Sequence, residues 1–240
     1  MPKDNTRIFL WSGPRNISTT LMYSFAQRKD TIVFDEPLYA YYLSHSKAKE
    51  YHPDAELIMN SQKCNGQTVV RNMLSENGSE VLFFKNMTHH LLDLNLDFLA
   101  KGFNLILTRS PREMLPSFHQ IIKNPTVYDT GYLKHLKLVK HLKEKSIPFL
   151  IMDAKEILQD PEAAIKTLCK HSGISFDSAM LNWKAGSRKE DGVWANHWYK
   201  SIHESTGFKP YQPKVEPFPE ELKALLTQCD PIYKQLLSMR

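Results

Sequence analysis

A turn that holds an arginine between an apolar run and a row of hydroxyls is the first place where this sequence could do chemistry. Residues 7–25 read RIFLWSGPRNISTTLMYSF, with Arg15 in the turn and Ser18, Thr19 and Thr20 opening the next apolar segment. A guanidinium fork suits a tetrahedral oxyanion, and amides at a helix N-terminus favour negative charge. The stretch therefore predicts a cradle for phosphate or sulfate, although such hydroxyls can also serve only as helix caps.

The turn departs from the loop that binds ATP. A Walker A loop reads G-x-x-x-x-G-K-[ST], and its lysine contacts the terminal phosphates. Counted from Gly13, Ser18 stands at the second glycine, Thr19 at the lysine and Thr20 at the hydroxyl position. Arg15 would have to supply the positive charge in this loop. We therefore expect an anion cradle that does not depend on a metal ion.

A second arginine follows another apolar run. Residues 105–120 read LILTRSPREMLPSFHQ, so Ser117 comes eight residues after Arg109. An arginine at a strand end and a serine on the following helix can both reach one phosphate beyond the edge of a sheet. A lone pair of this kind is more often a helix-start arginine and a solvent-facing serine. The prediction therefore depends on the two clusters together.

Alternating strand and helix patterns would position these clusters. Short apolar runs predict strands at 8–11, 31–34, 81–84, 103–107 and 148–152, and longer patterns predict helices at 18–27, 111–122, 131–145, 161–171 and 220–238, with two shorter ones within 53–76. This alternation predicts a three-layer α/β/α fold, similar to P-loop NTPases, around a parallel sheet of about five strands. We expect residues 1–240 to form a single domain, with 184–240 as a cap and terminal helix.

The helix predicted at 131–145 has an amphipathic pattern. Leu133, Leu136, Val139 and Leu142 fall on one face at helical spacing.

Composition limits the classes of partner and the compartment. The formal net charge is +5, which suits anionic ligands. There is no RNA-binding aromatic signature and no dense Lys/Arg block, so we expect no nucleic-acid partner. Cys64, Cys169 and Cys229 are far apart and lack metal-binding spacing, which favours reduced thiols. The sequence has no leader-like N-terminus and no membrane-length apolar run, so we expect a cytoplasmic protein and leave a homodimer open.

Taken together, the two clusters resemble the sulfotransferase superfamily, whose members use 3′-phosphoadenosine 5′-phosphosulfate (PAPS) as donor. Their 5′-phosphosulfate loop follows the first strand and reads P-K-S-G-T-T, or P-R-S-G-S-T in bacterial members. Residues 14–19 read P-R-N-I-S-T, with Asn16 and Ile17 in place of Ser-Gly. The family's 3′-phosphate motif is an Arg and a Ser eight residues apart, which Arg109 and Ser117 match.

The resemblance also implies a basic C-terminal loop over the nucleotide, often R-K-G, of which this chain keeps Arg188 and Lys189. It implies PAPS as co-substrate, 3′,5′-ADP as product and no metal ion. The nucleotide contacts that it implies are Arg15, Asn16, Ser18, Thr19, Thr20, Arg109, Ser117, Arg188 and Lys189.

The resemblance suggests three candidates for the catalytic base. Many members use a His two residues after a Lys; in FFKNMTHH that offset from Lys85 falls on a methionine, and His89 and His90 come later. Other members use a Glu just after the second strand, which is the place of Glu36. We rank Glu36 first, then His90 and His89. Lys85 could reach the bridging oxygen of the donor. Helix capping by the Asp-Glu pair at 35–36, surface histidines and a solvated Lys85 remain open alternatives.

These features predict sulfuryl transfer by in-line displacement to a hydroxyl or amine of a small-molecule acceptor. Aromatic residues could line its pocket, form a box for a cationic group or only pack the core: Tyr39, Tyr41, Tyr42, Trp194, Trp198 and Tyr199. One alternative is a P-loop small-molecule kinase that uses ATP and Mg²⁺, with Asp153 as a metal ligand. The other is a non-catalytic 3′,5′-ADP-binding module.

Overall fold

The computed structural model describes residues 5–75, 78–214 and 216–240, so the first four residues of the N-terminal stretch considered above lie outside it. Five strands form one parallel sheet in the order β2-β3-β1-β4-β5. The strands are β1 (Thr6–Ser12), β2 (Thr31–Asp35), β3 (Val81–Met87), β4 (Phe103–Thr108) and β5 (Phe149–Asp153). The prediction of an α/β fold with a five-stranded parallel sheet is confirmed.

The helices are α1 (Ser18–Phe25), α2 (Tyr39–Ser44), α3 (Ala55–Ser61), α4 (Gly66–Leu74), α5 (Pro111–His119), α6 (Tyr132–Glu144), α7 (Ala154–Gln159), α8 (Pro161–Ser172), α9 (Ala195–Trp198), α10 (Lys200–His203) and α11 (Lys223–Leu237). Short 3₁₀ helices lie at Lys47–Glu50, Thr88–Leu91, Asp97–Lys101, Ser178–Leu181 and Glu220–Leu222. In the described ranges, no helix is both long enough and apolar enough to cross a bilayer.

Two apolar cores lie on the two faces of the sheet. Ile8 and Leu10 of β1 belong to one core, whereas Phe9 and Trp11 belong to the other. The first core includes residues of α1, α2 and α8, and the second includes residues of α4 and α6. Strands covered on both faces need continuous apolar runs, and this explains the absence of alternation in the sequence. The predicted three-layer α/β/α arrangement is confirmed.

Helix α8 shows why some predicted boundaries are accurate. The side chain of Asp160 accepts a hydrogen bond of 3.0 Å from the Ala163 amide, and Pro161 occupies the first turn. At the other end, Gly173 adopts φ 73°, the left-handed conformation that commonly closes a helix. These start and stop signals are local, so the sequence alone can predict them.

The predicted amphipathic helix is present as α6, with Val139 and Leu142 of its predicted apolar face buried. Leu133 and Leu136 are only half-buried, and the buried positions are Tyr132, His135, Leu138, Val139 and Leu142. The buried face is therefore rotated relative to the predicted one. In the first turn of α6, the Tyr132 hydroxyl donates a hydrogen bond of 2.6 Å to the Arg109 carbonyl at the end of β4.

Strand β3 is longer than predicted, and this affects the site. It pairs with β1 as far as Met87 and with β2 at Lys85, which lies opposite Asp35. Lys85 is therefore a residue within a central strand rather than in the loop after it. Because β1 lies between β3 and β4, the loop after β1 sits at the middle of the sheet's carboxyl edge. Ligands of parallel α/β proteins bind at that edge.

Candidate active site

A cavity of about 390 Å³ lies at the carboxyl ends of β1, β3 and β4. It brings together two clusters that are far apart in the sequence, the anion cradle and the candidate bases. The predicted site residues that line it are Arg15, Asn16, Ser18, Thr19, Thr20, Glu36, Lys85, His89, His90, Arg109 and Ser117. Arg188 and Lys189 are not among the lining residues.

The loop between β1 and α1 has a strained backbone. Arg15 adopts φ 56° and Ile17 adopts φ 60°, in the left-handed region that a β-branched residue rarely enters. Ile17 stands where the resembling loops have glycine, and it keeps the conformation that glycine would adopt. Such strain costs about 1–3 kcal/mol for each residue and is concentrated at ligand-binding and active sites. The loop therefore holds a shape that packing imposes on it.

The hydroxyls that open α1 do not cap it. The N-cap is Ile17, whose side chain offers no acceptor, and no side-chain cap is found among the described residues. The first amides of a helix lack partners within the helix, so they can bind an anion. Ser18, Thr19 and Thr20 line the cavity at this point. The observed geometry favours the cradle over the capping alternative.

Two guanidinium groups share the cavity. Arg15 Nε donates to Ser117 Oγ at 3.0 Å, and Arg109 Nη1 donates to the Arg15 carbonyl at 3.1 Å. Arg109 forms an ion pair of 3.2 Å with Glu113, whereas no carboxylate pairs with Arg15 in the described ranges. Burial, followed by the nearby charge of Arg109, lowers the pKa of Arg15. Two like charges that share a cavity favour binding of an anion between them.

Lys85 and Glu36 form a buried ion pair in the same cavity. Only 1% of the Lys85 side chain is exposed, and its Nζ also donates to Asp35 Oδ1 at 2.8 Å. Burial acts to lower the pKa of Lys85, but the charges of Asp35 and Glu36 outweigh it and hold that pKa well above its usual value. Burial raises the pKa of Glu36, and Lys85 only partly opposes this. Lys85 is therefore not a solvated lysine, and Glu36 does not cap a helix.

The structure adds two residues that the sequence did not reveal as site residues. The Tyr199 hydroxyl lies 2.7 Å from Asp35 Oδ2 and 2.7 Å from Lys85 Nζ, and the Trp194 indole donates to it at 3.2 Å. The Gly192 amide also donates to Asp35 Oδ2, at 3.0 Å. Asp35 thus ties the segment 192–199 to the end of β2. Asp35 was visible only as a neighbour of Glu36, and Tyr199 only as one aromatic residue among several.

His89 and His90 are buried in the 3₁₀ helix Thr88–Leu91. The His90 ring lies between the rings of Tyr39 and Tyr42, with centroid distances of 4.7 Å and 4.6 Å, and its Nδ1 is 3.9 Å from Glu36 Oε2. Burial lowers the pKa of His89 to about 3 and that of His90 well below its usual value. Both imidazoles are therefore neutral and weakly basic at neutral pH, which favours Glu36 as the base.

Comparison with known proteins identifies the family. A family model described as a sulfotransferase domain matches residues 6–239. This chain belongs to the sulfotransferase domain family. The resemblance inferred from the two arginine clusters is confirmed.

Two solved structures share the sulfotransferase fold. The sulfotransferase domain of the olefin synthase of Synechococcus PCC 7002 aligns with a TM-score of 0.55 at 15% identity, over 94% of this chain and 95% of that one. A sulfotransferase of Alicyclobacillus acidocaldarius aligns with a TM-score of 0.53 at 10% identity, over 96% and 95%. At these identities the comparison shows the fold alone.

Curated relatives of higher identity are longer proteins. Branched-chain-amino-acid aminotransferase-like proteins 1 and 2 of Arabidopsis thaliana are 39% and 38% identical over 234 and 231 residues. Those alignments cover 96% and 95% of this chain but 41% of each relative. This sulfotransferase domain therefore spans about two fifths of the length of the curated relatives that it matches.

The C-terminal basic pair lies apart from the sulfotransferase cavity. The Arg188 guanidinium lies over the Tyr23 ring, 5.6 Å from its centroid, and pairs with Glu190 at 3.2 Å. Lys189 is 91% exposed. The C-terminal residues that line the cavity include one basic side chain, that of Lys209.

Asp153, which the kinase alternative needs as a metal ligand, has a structural role. Its carboxylate accepts hydrogen bonds of 2.7 Å from the Lys155 amide, at the start of α7, and from the Tyr233 hydroxyl. It does not line the cavity. The sulfotransferase cavity therefore does not include the acidic residue on which that alternative depends.

Proposed function

We propose that this sulfotransferase domain moves a sulfuryl group from PAPS to a hydroxyl or amine of a small-molecule acceptor. The observation that carries the proposal is one cavity containing both a pair of guanidinium groups, Arg15 and Arg109, and the buried pair of Glu36 and Lys85. The first pair suits a nucleotide with two phosphate-bearing ends. The second offers a base beside a cation.

The basic residues of the cavity suit a donor of negative charge. PAPS carries about −4, taking a terminal phosphate as about −1.5 to −2. Arg15 and the first amides of α1 would hold the 5′-phosphosulfate, together with Asn16, Ser18, Thr19 and Thr20. Arg109 and Ser117 would hold the 3′-phosphate, and Lys209 adds positive charge to the same cavity. Contacts from Arg188 and Lys189 stay a prediction.

The positions of Glu36, Lys85 and Arg15 support a role for each of them in sulfuryl transfer. The donor supplies a sulfuryl group whose bond to the 5′-phosphate oxygen breaks as the acceptor oxygen or nitrogen bonds to sulfur. Glu36 takes the acceptor's proton, and its raised pKa improves it as a base at neutral pH. Arg15 and the α1 amides stabilise the charge that develops on the departing phosphate, which is the larger part of catalysis in related transfers. Lys85 keeps the Glu36 carboxylate oriented.

We expect 3′,5′-ADP to stabilise the protein and ATP with Mg²⁺ to leave it unchanged. At a nucleotide concentration one hundred times Kd, the gain is about 2.7 kcal/mol, or about 5–10 °C in Tm for a chain of this size. Thermal unfolding with each nucleotide and without nucleotide measures it. Stabilisation by ATP and Mg²⁺ alone would support the kinase alternative and contradict the proposal.

Glu36→Gln is expected to lower turnover by about 10²–10⁴-fold, because the amide cannot accept the acceptor's proton. Binding of 3′,5′-ADP should stay close to that of the wild type. The measurement is sulfate transfer from PAPS to a panel of alcohols and amines.

Glu162→Gln is the matched control, since Glu162 is exposed and pairs with Lys166 on α8. Near-full turnover in Glu36→Gln would show that Glu36 is not the base, and His90→Asn would then be tested. A wild type that binds 3′,5′-ADP but transfers no sulfate to any acceptor would favour the non-catalytic module.

A further inference from the structure

A second part of the cavity wall contains no arginine or lysine. We call it the aromatic wall: Tyr39, Tyr42, Tyr51, His52 and Asp129, all of which line the cavity. Its members contact one another. The Tyr51 hydroxyl donates to Asp129 Oδ1 at 3.1 Å, and the Tyr39 hydroxyl lies 2.8 Å from His52 Nδ1. The His52 ring also packs against the rings of Tyr42 and Tyr51 at centroid distances of 5.8 Å and 5.2 Å.

The carboxylate of the aromatic wall is not neutralised. Asp129 Oδ2 accepts hydrogen bonds of 2.7 Å from the amide and the hydroxyl of Thr126, and both donors are neutral. Over the described ranges the salt bridges include none to Asp129. Burial lowers the pKa of His52 to about 4 even though the Asp129 charge acts to raise it. The wall therefore presents one negative charge without a cationic partner in the described ranges, among aromatic side chains.

Two buried polar atoms beside the aromatic wall lack partners. His89 Nδ1 and His90 Nδ1 make no hydrogen bond among the described residues, although both side chains are more than nine-tenths buried and line the cavity. The two rings pack on Tyr42, at centroid distances of 5.0 Å and 4.6 Å. Buried polar atoms are seldom left unpaired in native proteins, so these two nitrogens are available to a polar ligand in the cavity.

We propose that the aromatic wall binds an ammonium group of the acceptor, so that the substrate is a small amine-bearing molecule with a second nucleophile directed at Glu36. The inference rests on the proposed sulfotransferase function. A cation gains from the Asp129 carboxylate, and the tyrosine rings of the same wall can add cation–π attraction. The bonds from Thr126 explain Asp129 Oδ2 as a turn cap. Oδ1 accepts a hydrogen bond from the Tyr51 hydroxyl, which is neutral and leaves the charge of the carboxylate in place.

Matched probes test the charge preference by calorimetry, with and without saturating 3′,5′-ADP. Tyramine is compared with neutral 4-ethylphenol and anionic 4-hydroxyphenylacetate, and ethanolamine is compared with 1-propanol. We expect at least one cationic probe to bind about tenfold more tightly than its neutral counterpart, and the anionic probe to bind least. Asp129→Asn keeps an oxygen acceptor for Thr126. In this variant the cationic probe and its neutral counterpart should bind with about equal affinity.

Asp177→Asn is the control, because Asp177 caps the 3₁₀ helix Ser178–Leu181 through the Ala179 amide, away from the cavity. It should keep the full preference. An unchanged affinity of Asp129→Asn for 3′,5′-ADP would show that the variant is folded. Equal binding of cationic and neutral probes, no binding of any cationic probe, or a preference that survives in Asp129→Asn would each overturn the inference. Failure of the wild type to bind 3′,5′-ADP would instead count against the proposed function.

Discussion

Lys85→Met is expected to lower the free energy of unfolding by about 3–5 kcal/mol, the cost of breaking a buried ion pair by removing one partner. Lys85 Nζ is the cation that Asp35 and Glu36 share, and both carboxylates are buried. Methionine fills a similar volume, so the loss should come from charge rather than from a cavity. Denaturant unfolding at pH 8 measures it, and sulfate transfer should be lost as well.

The pH dependence of this variant has a defined sign. Burial raises the pKa of Glu36, and removal of Lys85 also removes the charge that opposes that rise. A carboxyl whose pKa is higher in the folded state loses stability as the pH rises from its unfolded pKa towards its folded pKa. The deficit of Lys85→Met relative to the wild type should therefore be largest near pH 8 and shrink towards pH 5.

Lys166→Met is the matched control for this lysine. Lys166 and Glu162 form an exposed pair one helical turn apart, with both side chains more than half exposed. Exposed pairs of this kind contribute about 0.3–0.5 kcal/mol, so the control should change little. A deficit in Lys85→Met no larger than that of the control, or one that grows as the pH falls, would contradict a charged buried network at Lys85.

Arg15→Ala is expected to lower turnover by about 10²–10³-fold, or about 2.7–4 kcal/mol of transition-state stabilisation. The guanidinium of Arg15 is the cation of the strained loop after β1, and no carboxylate pairs with it in the described ranges. Its charge is therefore available to a developing anion. Arg15→Lys keeps the charge but not the planar fork, so its turnover should lie between those of the wild type and Arg15→Ala.

Steady-state sulfate transfer and 3′,5′-ADP titration check this prediction. Arg71→Ala is the control, since Arg71 is exposed on α4, away from the cavity, and its guanidinium donates to the Thr68 hydroxyl at 3.0 Å. Arg15→Ala should unfold at nearly the same denaturant concentration as the wild type. If it transfers sulfate at the rate of Arg71→Ala, the anion cradle is not at the loop after β1.

A motif match does not by itself place a side chain in the cavity, as Arg188 shows. The pair Arg188-Lys189 matches the letters of a C-terminal family motif, but the structure places the Arg188 guanidinium over Tyr23. Which part of a C-terminal segment faces the cavity depends on how that segment packs. In this chain the segment that does so begins near Trp194 and includes Lys209.

The sequence by itself determined the strands, the order of layers and the position of both arginine clusters. These features depend on local patterns, such as the continuous apolar run of β1, the caps of α8 and the eight-residue spacing between Arg109 and Ser117. Parallel strands present their carboxyl ends at one edge. Once the strands were known, the loop holding Arg15 and the strand end holding Arg109 had to lie on that edge.

Only the tertiary structure decided the protonation and the partners of the site. Asp35 and Tyr199 are 164 residues apart, and nothing near either residue in sequence predicts their hydrogen bond. Packing places Lys85 between two buried carboxylates, and their charges keep its pKa high. Burial lowers the pKa values of His89 and His90 and keeps both rings neutral. Desolvation depends on every element packed around a side chain. Local patterns predict which strand, helix or loop carries a side chain, whereas its charge and its contacts depend on distant parts of the chain.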